Sequence, residues 1–150
     1  MKNILFFLSW YMFPALAFCD WHITRSDFEA KELFKATQTY ELYTGDSAVE
    51  EREKKPQEGF KFILVQIQAK NDGNSPDLFK SKEILLKSGN NTYPRLKEDK
   101  FLLEYNIKPF TQLTLKKGTH QGSLIFEVPT QTDITTLDLI YQNNSIKTEK

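Results

Sequence analysis

The chain has 150 residues, enough for one ordinary domain and too few for two. Its 20 basic and 20 acidic side chains cancel, which removes the field that attracts phosphate backbones or anionic membranes, so no nucleic-acid partner is expected. A single cysteine excludes an intrachain disulfide and a cysteine-built zinc site.

Residues 1–17 have the layout of a signal peptide. Lys2 precedes an apolar run from Ile4 to Phe13, and Ala15-Leu16-Ala17 supplies the small residues of a cleavage site. The apolar run is shorter than the roughly 20 residues of a membrane-spanning helix. The expected product begins at residue 18 and is secreted or periplasmic. Cys19 follows the cut, and Leu16-Ala17-Phe18-Cys19 resembles a bacterial lipoprotein box. Phe18 is larger than the peptidase pocket accepts, so lipidation of Cys19 is not the expected outcome; only that modification would give the protein a membrane partner.

Trp21 to Arg25 alternates apolar with polar and reads as a first strand. The stretch from Asp27 to Lys35 is the one helical competitor, with Ser26 as its cap and Glu29 three positions on. Thr37 to Tyr43 reads as a weak strand. Between Thr44 and Gly59 the sequence predicts a solvated loop or a helical turn, because Glu50-Glu51-Arg52-Glu53-Lys54-Lys55 has no apolar face to bury.

Phe60 to Asn71 carries the clearest strand signal. Ile63, Val65, Ile67 and Ala69 share one face, with Gln66, Gln68 and Lys70 on the other. Phe62 and Leu64 fall on the polar side, so something must cover the start of that face, and the preceding loop is the nearest candidate. Short strands follow at Glu83 to Lys87 and Thr92 to Pro94, joined by the turn Ser88-Gly89-Asn90-Asn91. Phe101 to Phe110 reads as a short strand or a covering segment. Gln112 to Lys116 places Leu113 and Leu115 on one face. Lys117-Gly118 turns into Gly122 to Val128, where Leu124, Phe126 and Val128 point one way; Gly118 and Gly122 flank a connection expected to need positive φ. A last strand spans Thr136 to Tyr141, and 142–150 reads as a polar tail that frays.

This pattern predicts an all-β chain: an antiparallel immunoglobulin-like sandwich of about seven strands over residues 18–141, held by apolar packing without a disulfide. Three segments carry a family resemblance. Gly59 to Gly73, Ile84 to Tyr93, and Leu115 to Gly118 followed by Gly122 to Pro129 together resemble, in order, the telokin-like immunoglobulin-fold family of secreted bacterial proteins and lipoproteins, a domain of unknown function. Lys117 stands where that family often has proline. The resemblance implies a sandwich outside the cytoplasm and carries over no catalytic residue.

Chemistry-bearing constellations are sparse. His22 and His120 are the imidazoles, and neither sits in a nucleophile or metal motif: His22 reads as an outward strand residue, His120 as part of an exposed turn. Asp72, Asn74 and Asp77 offer oxygens in one turn without the spacing of a calcium loop. No cofactor, metal or catalytic residue is therefore expected. Asn90-Asn91-Thr92 and Asn143-Asn144-Ser145 fit a glycosylation acceptor pattern. Phe79, Phe101, Tyr105 and Phe110 form the remaining candidate, either as an exposed aromatic patch that anchors a partner or as the closure of one end of the core. The functional expectation is a non-catalytic module binding a protein or envelope component; the alternative is an exported hydrolase or metal-dependent enzyme using His22 or His120 with loop carboxylates.

Overall fold

The computed structural model describes residues 21–97, 99–141 and 144–145. Residues 1–17, where the sequence predicts a signal peptide, Cys19 and most of 142–150 lie outside the described residues. In chain order the strands are β1 (Trp21–Lys31), β2 (Phe34–Glu41), β3 (Ser47–Lys54), β4 (Phe60–Asn71), β5 (Asp77–Leu78), β6 (Ile84–Ser88), β7 (Asn91–Pro94), β8 (Thr114–Leu115), β9 (Gly118–Pro129), β10 (Leu137–Tyr141) and β11 (Asn144–Ser145). A 3-10 helix spans Lys100–Tyr105. Two antiparallel sheets, β1-β4-β9 and β11-β10-β6-β7, enclose the core. Two short ribbons, β2-β3 and β5-β8, complete an all-β architecture.

The main core is the meeting of two inward faces. Ile63, Val65, Ile67 and Ala69 of β4, with Leu124, Phe126 and Val128 of β9, pack against Ile84, Leu86, Leu137 and Leu139 of the facing sheet. The alternation expected for β4 and β9 therefore holds. The hairpin expected at Ser88 to Asn91 is also present, with Gly89 at φ 57°. Within the segment read as a polar tail, Asn144 and Ser145 pair with Tyr141 and Ile140.

A second, smaller core occupies the opposite face of β4. Phe62 and Leu64 join Phe34, Leu102 and Ile125, all buried, with Phe101 and Tyr105 packed at the margin. Phe62-Ile63-Leu64-Val65 is consequently buried on both faces, which is why that stretch is continuously apolar. The cover is provided by the root of β2 and the 3-10 helix, not by the 44–59 loop.

Three expectations need correction. The region Asp27 to Lys35 is not helical: β1 continues to Lys31 beside β4 after a register shift between Ile23 and Arg25. Thr24 is the extra residue, and its hydroxyl is bonded to the Gln68 carbonyl at 3.2 Å and to the Gln68 side chain at 3.1 Å. Residues 47–54 form β3, not a solvated loop. Their charges are paired partly across the β2-β3 ladder, Lys35 with Glu53 at 3.1 Å, and partly along β3 itself, Arg52 with Glu50 at 3.1 Å. Leu113 does not share the fate of Leu115: the latter is buried and the former exposed.

Gly118 adopts φ 115°, as expected, but Gly122 does not require positive φ. Gly122 is needed for space instead. A Cβ there would lie 2.8 Å from Phe110 Cα, where the 108–110 segment pairs along β9 through Phe110 N to Ser123 O (2.8 Å) and Ser123 N to Lys108 O (2.9 Å). Gly122→Ala is expected to cost about 1–3 kcal/mol, the usual range for overpacking, read as a lowered midpoint in thermal or urea unfolding.

Candidate binding surface

The four aromatic residues singled out in the sequence do not form one patch. Phe79 and Phe110 lie in the main core, their rings 4.7 Å apart, with Trp21 a further 4.7 Å from Phe79. They close one end of the sandwich, so an exposed partner site containing them is ruled out by burial. Phe101 and Tyr105 sit elsewhere, around Phe34 at 5.6 and 5.4 Å, where they wall the second core. Burial raises the Tyr105 phenol above its ordinary pKa.

The β4 ladder separates the two histidines. His22 is paired with Lys70 and His120 with Ala69, one step along β4, so their side chains project to opposite faces of the sheet. His120 belongs to a strand rather than the expected exposed turn, and its Nε2 meets the Lys116 carbonyl at 2.8 Å. His22 faces Asp72 at 3.9 Å, while Lys70 at 2.8 Å is the main cause of the lowered pKa of Asp72.

The turn carrying Asp72, Asn74 and Asp77 is organised by Asn71. Its buried amide donates to the Leu115 carbonyl (2.8 Å) and the Ser75 carbonyl (3.1 Å), and its oxygen accepts from Gly73 N (2.8 Å). Asn74 accepts from Lys117 Nζ at 3.0 Å. These contacts use the turn's polar atoms on the protein itself.

What the sequence did not single out is the β2-β3 ribbon. Phe34 plugs its root into the second core, and Arg52 reaches Glu104 of the 3-10 helix at 3.7 Å. An open groove of about 580 Å³ runs between ribbon and helix, lined by Thr37, Gln38, Arg52 and Tyr105 among others. Beyond that contact the strands bury little. The tip is closed by Leu42 N to Asp46 O (2.8 Å) and Gly45 at φ 83°. It leaves Leu42 and Val49 exposed and Tyr43 fully exposed. Three large apolar side chains on a two-stranded projection form the largest concentration of exposed hydrophobic side chains among the described residues.

A polar cluster stiffens the ribbon below this tip. Tyr40 Oη donates to Glu50 Oε2 at 2.8 Å, and Arg52 Nε donates to Glu50 Oε1 at 3.1 Å. The Arg52 guanidinium first, and the Tyr40 hydroxyl second, hold the Glu50 carboxyl below its ordinary pKa, while Glu50 raises that of Tyr40. A carboxylate with a depressed folded-state pKa stabilises the fold above its unfolded pKa. That contribution is lost as pH falls through the folded value. Glu50 is expected to titrate below an ordinary glutamate in a carboxyl NMR titration, with Arg52→Gln moving its midpoint up more than Tyr40→Phe does.

No family model matches the chain, and no curated protein matches it. Among solved structures it is similar to a functionally unknown protein from Listeria monocytogenes EGD-e, at 12% identity and a TM-score of 0.37, over 81% of this chain and 88% of the other. So distant a likeness assigns no function.

Proposed function

We propose that this chain is an exported, non-catalytic immunoglobulin-like module that captures a protein or cell-envelope component through the β2-β3 ribbon. One observation carries the reading: a two-stranded projection, pinned only at its root, presents Leu42, Tyr43 and Val49 to solvent where burial would be favourable. Export follows from the signal-peptide layout of residues 1–17. Membership of the telokin-like family, proposed from the three ordered segments of Gly59 to Pro129, fits the all-β fold. The hydrolase alternative needs one histidine, His22 or His120, beside a loop carboxylate; His22 comes within 3.9 Å of Asp72, a carboxylate that Lys70 already holds at 2.8 Å.

The test is capture from an envelope extract by the immobilised chain and by Leu42→Ser/Tyr43→Ser. The variant should keep its unfolding midpoint and lose capture by at least about tenfold, as when a central aromatic anchor is removed. Equal capture by both would remove the ribbon from the interface, and turnover on an ester or phosphate panel that disappears in His22→Ala would replace binding with catalysis.

A further inference from the structure

The chain also carries a surface complementary to its own ribbon tip. Residues 37–51 contain Glu41, Asp46, Glu50 and Glu51 and no lysine or arginine; Arg52 pairs with Glu50, and the other three acids leave the exposed Leu42, Tyr43 and Val49 in an acidic collar. Elsewhere, β5 and β8 pair as a two-stranded ledge in which Leu78 faces Thr114. Leu78 and Leu113 are exposed there, at 53% and 66%. Around them the sequence places Lys80, Lys82, Lys116 and Lys117 against two acids, Asp77 and Glu83, the latter paired with Lys80 at 3.2 Å, which leaves a net positive rim. Lys80 follows β5 just beyond the buried Phe79, and Lys116 follows the buried Leu115 at the end of β8, so both border the ledge in sequence.

One surface is thus apolar with a negative rim, and the other is apolar with a positive rim. Within a single chain neither covers the other, because both remain exposed. The ledge is tied to Asn71 through the Leu115 carbonyl, whereas the ribbon root packs on Phe62. Those points lie about 30 Å apart along β4 at roughly 3.3 Å per residue. An acidic collar would be repelled by anionic lipid, which disfavours a membrane as the occupant.

We propose that the ribbon tip of one copy docks on the β5-β8 ledge of a second copy, a head-to-tail contact with opposite charges at its rim. This rests on the reading of the ribbon as the binding element and makes the chain itself one of its ligands. Because the two surfaces differ, each bound copy leaves one free tip and one free ledge, and association continues with concentration.

The experiment is sedimentation velocity on the purified chain over a concentration series, with a tip variant (Leu42→Ser/Tyr43→Ser) and a ledge variant (Leu78→Ser/Leu113→Asp), both confined to exposed side chains. The wild-type chain should sediment faster as concentration rises, and less so in high salt. Each variant alone should stay monomeric. Their equimolar mixture should form a species of two chains and none larger, since one intact ledge and one intact tip remain between them. A wild-type chain that is monomeric throughout, variants that associate like wild type, or a mixture that stays monomeric would each overturn the head-to-tail contact. A monomeric chain that still captures an envelope component through its ribbon overturns self-docking alone; loss of capture sensitivity at the tip would overturn the ribbon reading itself.

Discussion

Replacing Arg95 with methionine is expected to destabilise the fold by about 3–5 kcal/mol, the range for breaking a buried ion pair from one side. Arg95 and Asp99 are about nine-tenths buried and joined by a direct hydrogen-bonded ion pair. The guanidinium also donates to Ser81 Oγ at 2.6 Å and to the Phe110 carbonyl at 3.2 Å. It therefore ties together the 3-10 turn at Ser81–Glu83 that precedes β6, the entry to the Lys100–Tyr105 helix and the 108–110 segment that pairs along β9. Removing the cation strands the Asp99 carboxylate in a site with little water. Arg95→Met/Asp99→Leu removes both charges and should recover a large part of the loss, because the penalty comes mainly from the unpaired partner. Urea unfolding of the single and double variants measures the difference; a double variant as unstable as the single would mean the pair acts through shape alone.

Phe126→Ala should cost a similar amount, about 3–5 kcal/mol, because a fully buried ring in the main core is exchanged for a cavity. Phe34→Ala should behave differently. Its ring is almost as buried, and it touches Phe62 at 5.3 Å as well as Phe101 and Tyr105. Yet those contacts fasten an appendage and not the sandwich. The expected result is a small change in the global midpoint with much faster amide exchange in residues 36–52, against a large global shift for Phe126→Ala. A global collapse in Phe34→Ala would make the second core integral to the sandwich.

Most sandwich strands could be read from the sequence because one physical signal dominates them. In β4, β9 and β10 an inward face alternates with a less apolar one, and Asn, Gly or Pro marks the ends. The signal fails where something besides burial sets the structure. In β1 the extra residue at Thr24 shifts the inward positions from Trp21 and Ile23 to Phe28, and a broken period of two looks helical. In β3 no apolar face exists to be read. The backbone ladder to β2, with the Lys35–Glu53 pair and the Tyr40–Glu50 hydrogen bond across it, holds it, and a list of charges along one segment does not show its partner.

The candidate site was less legible than the fold for the same reason. Leu42 and Tyr43 look like the end of a weak strand, and Val49 like an ordinary member of a charged loop, until β2 and β3 are paired and the tip is seen to stand clear of both cores. Phe79 and Phe110 attracted attention because their segments lack strand periodicity, yet irregular segments also close the ends of a sandwich. The need to cover Phe62 and Leu64 was visible in their placement among polar residues, although the nature of the cover was not. Arg95 left no signal, since arginine four residues before aspartate in a charged stretch ordinarily marks solvent-facing backbone.

The most direct measurement is hydrogen exchange of the chain alone and with its captured envelope component bound. In the free chain, amides of β4 and β9 should exchange only through global unfolding, while those of residues 38–50 exchange by local opening. On binding, protection should rise in residues 38–50 and leave the rest of the sandwich unchanged. Protection that rises elsewhere, with the ribbon unaltered, would contradict the assignment of the ribbon as the binding element.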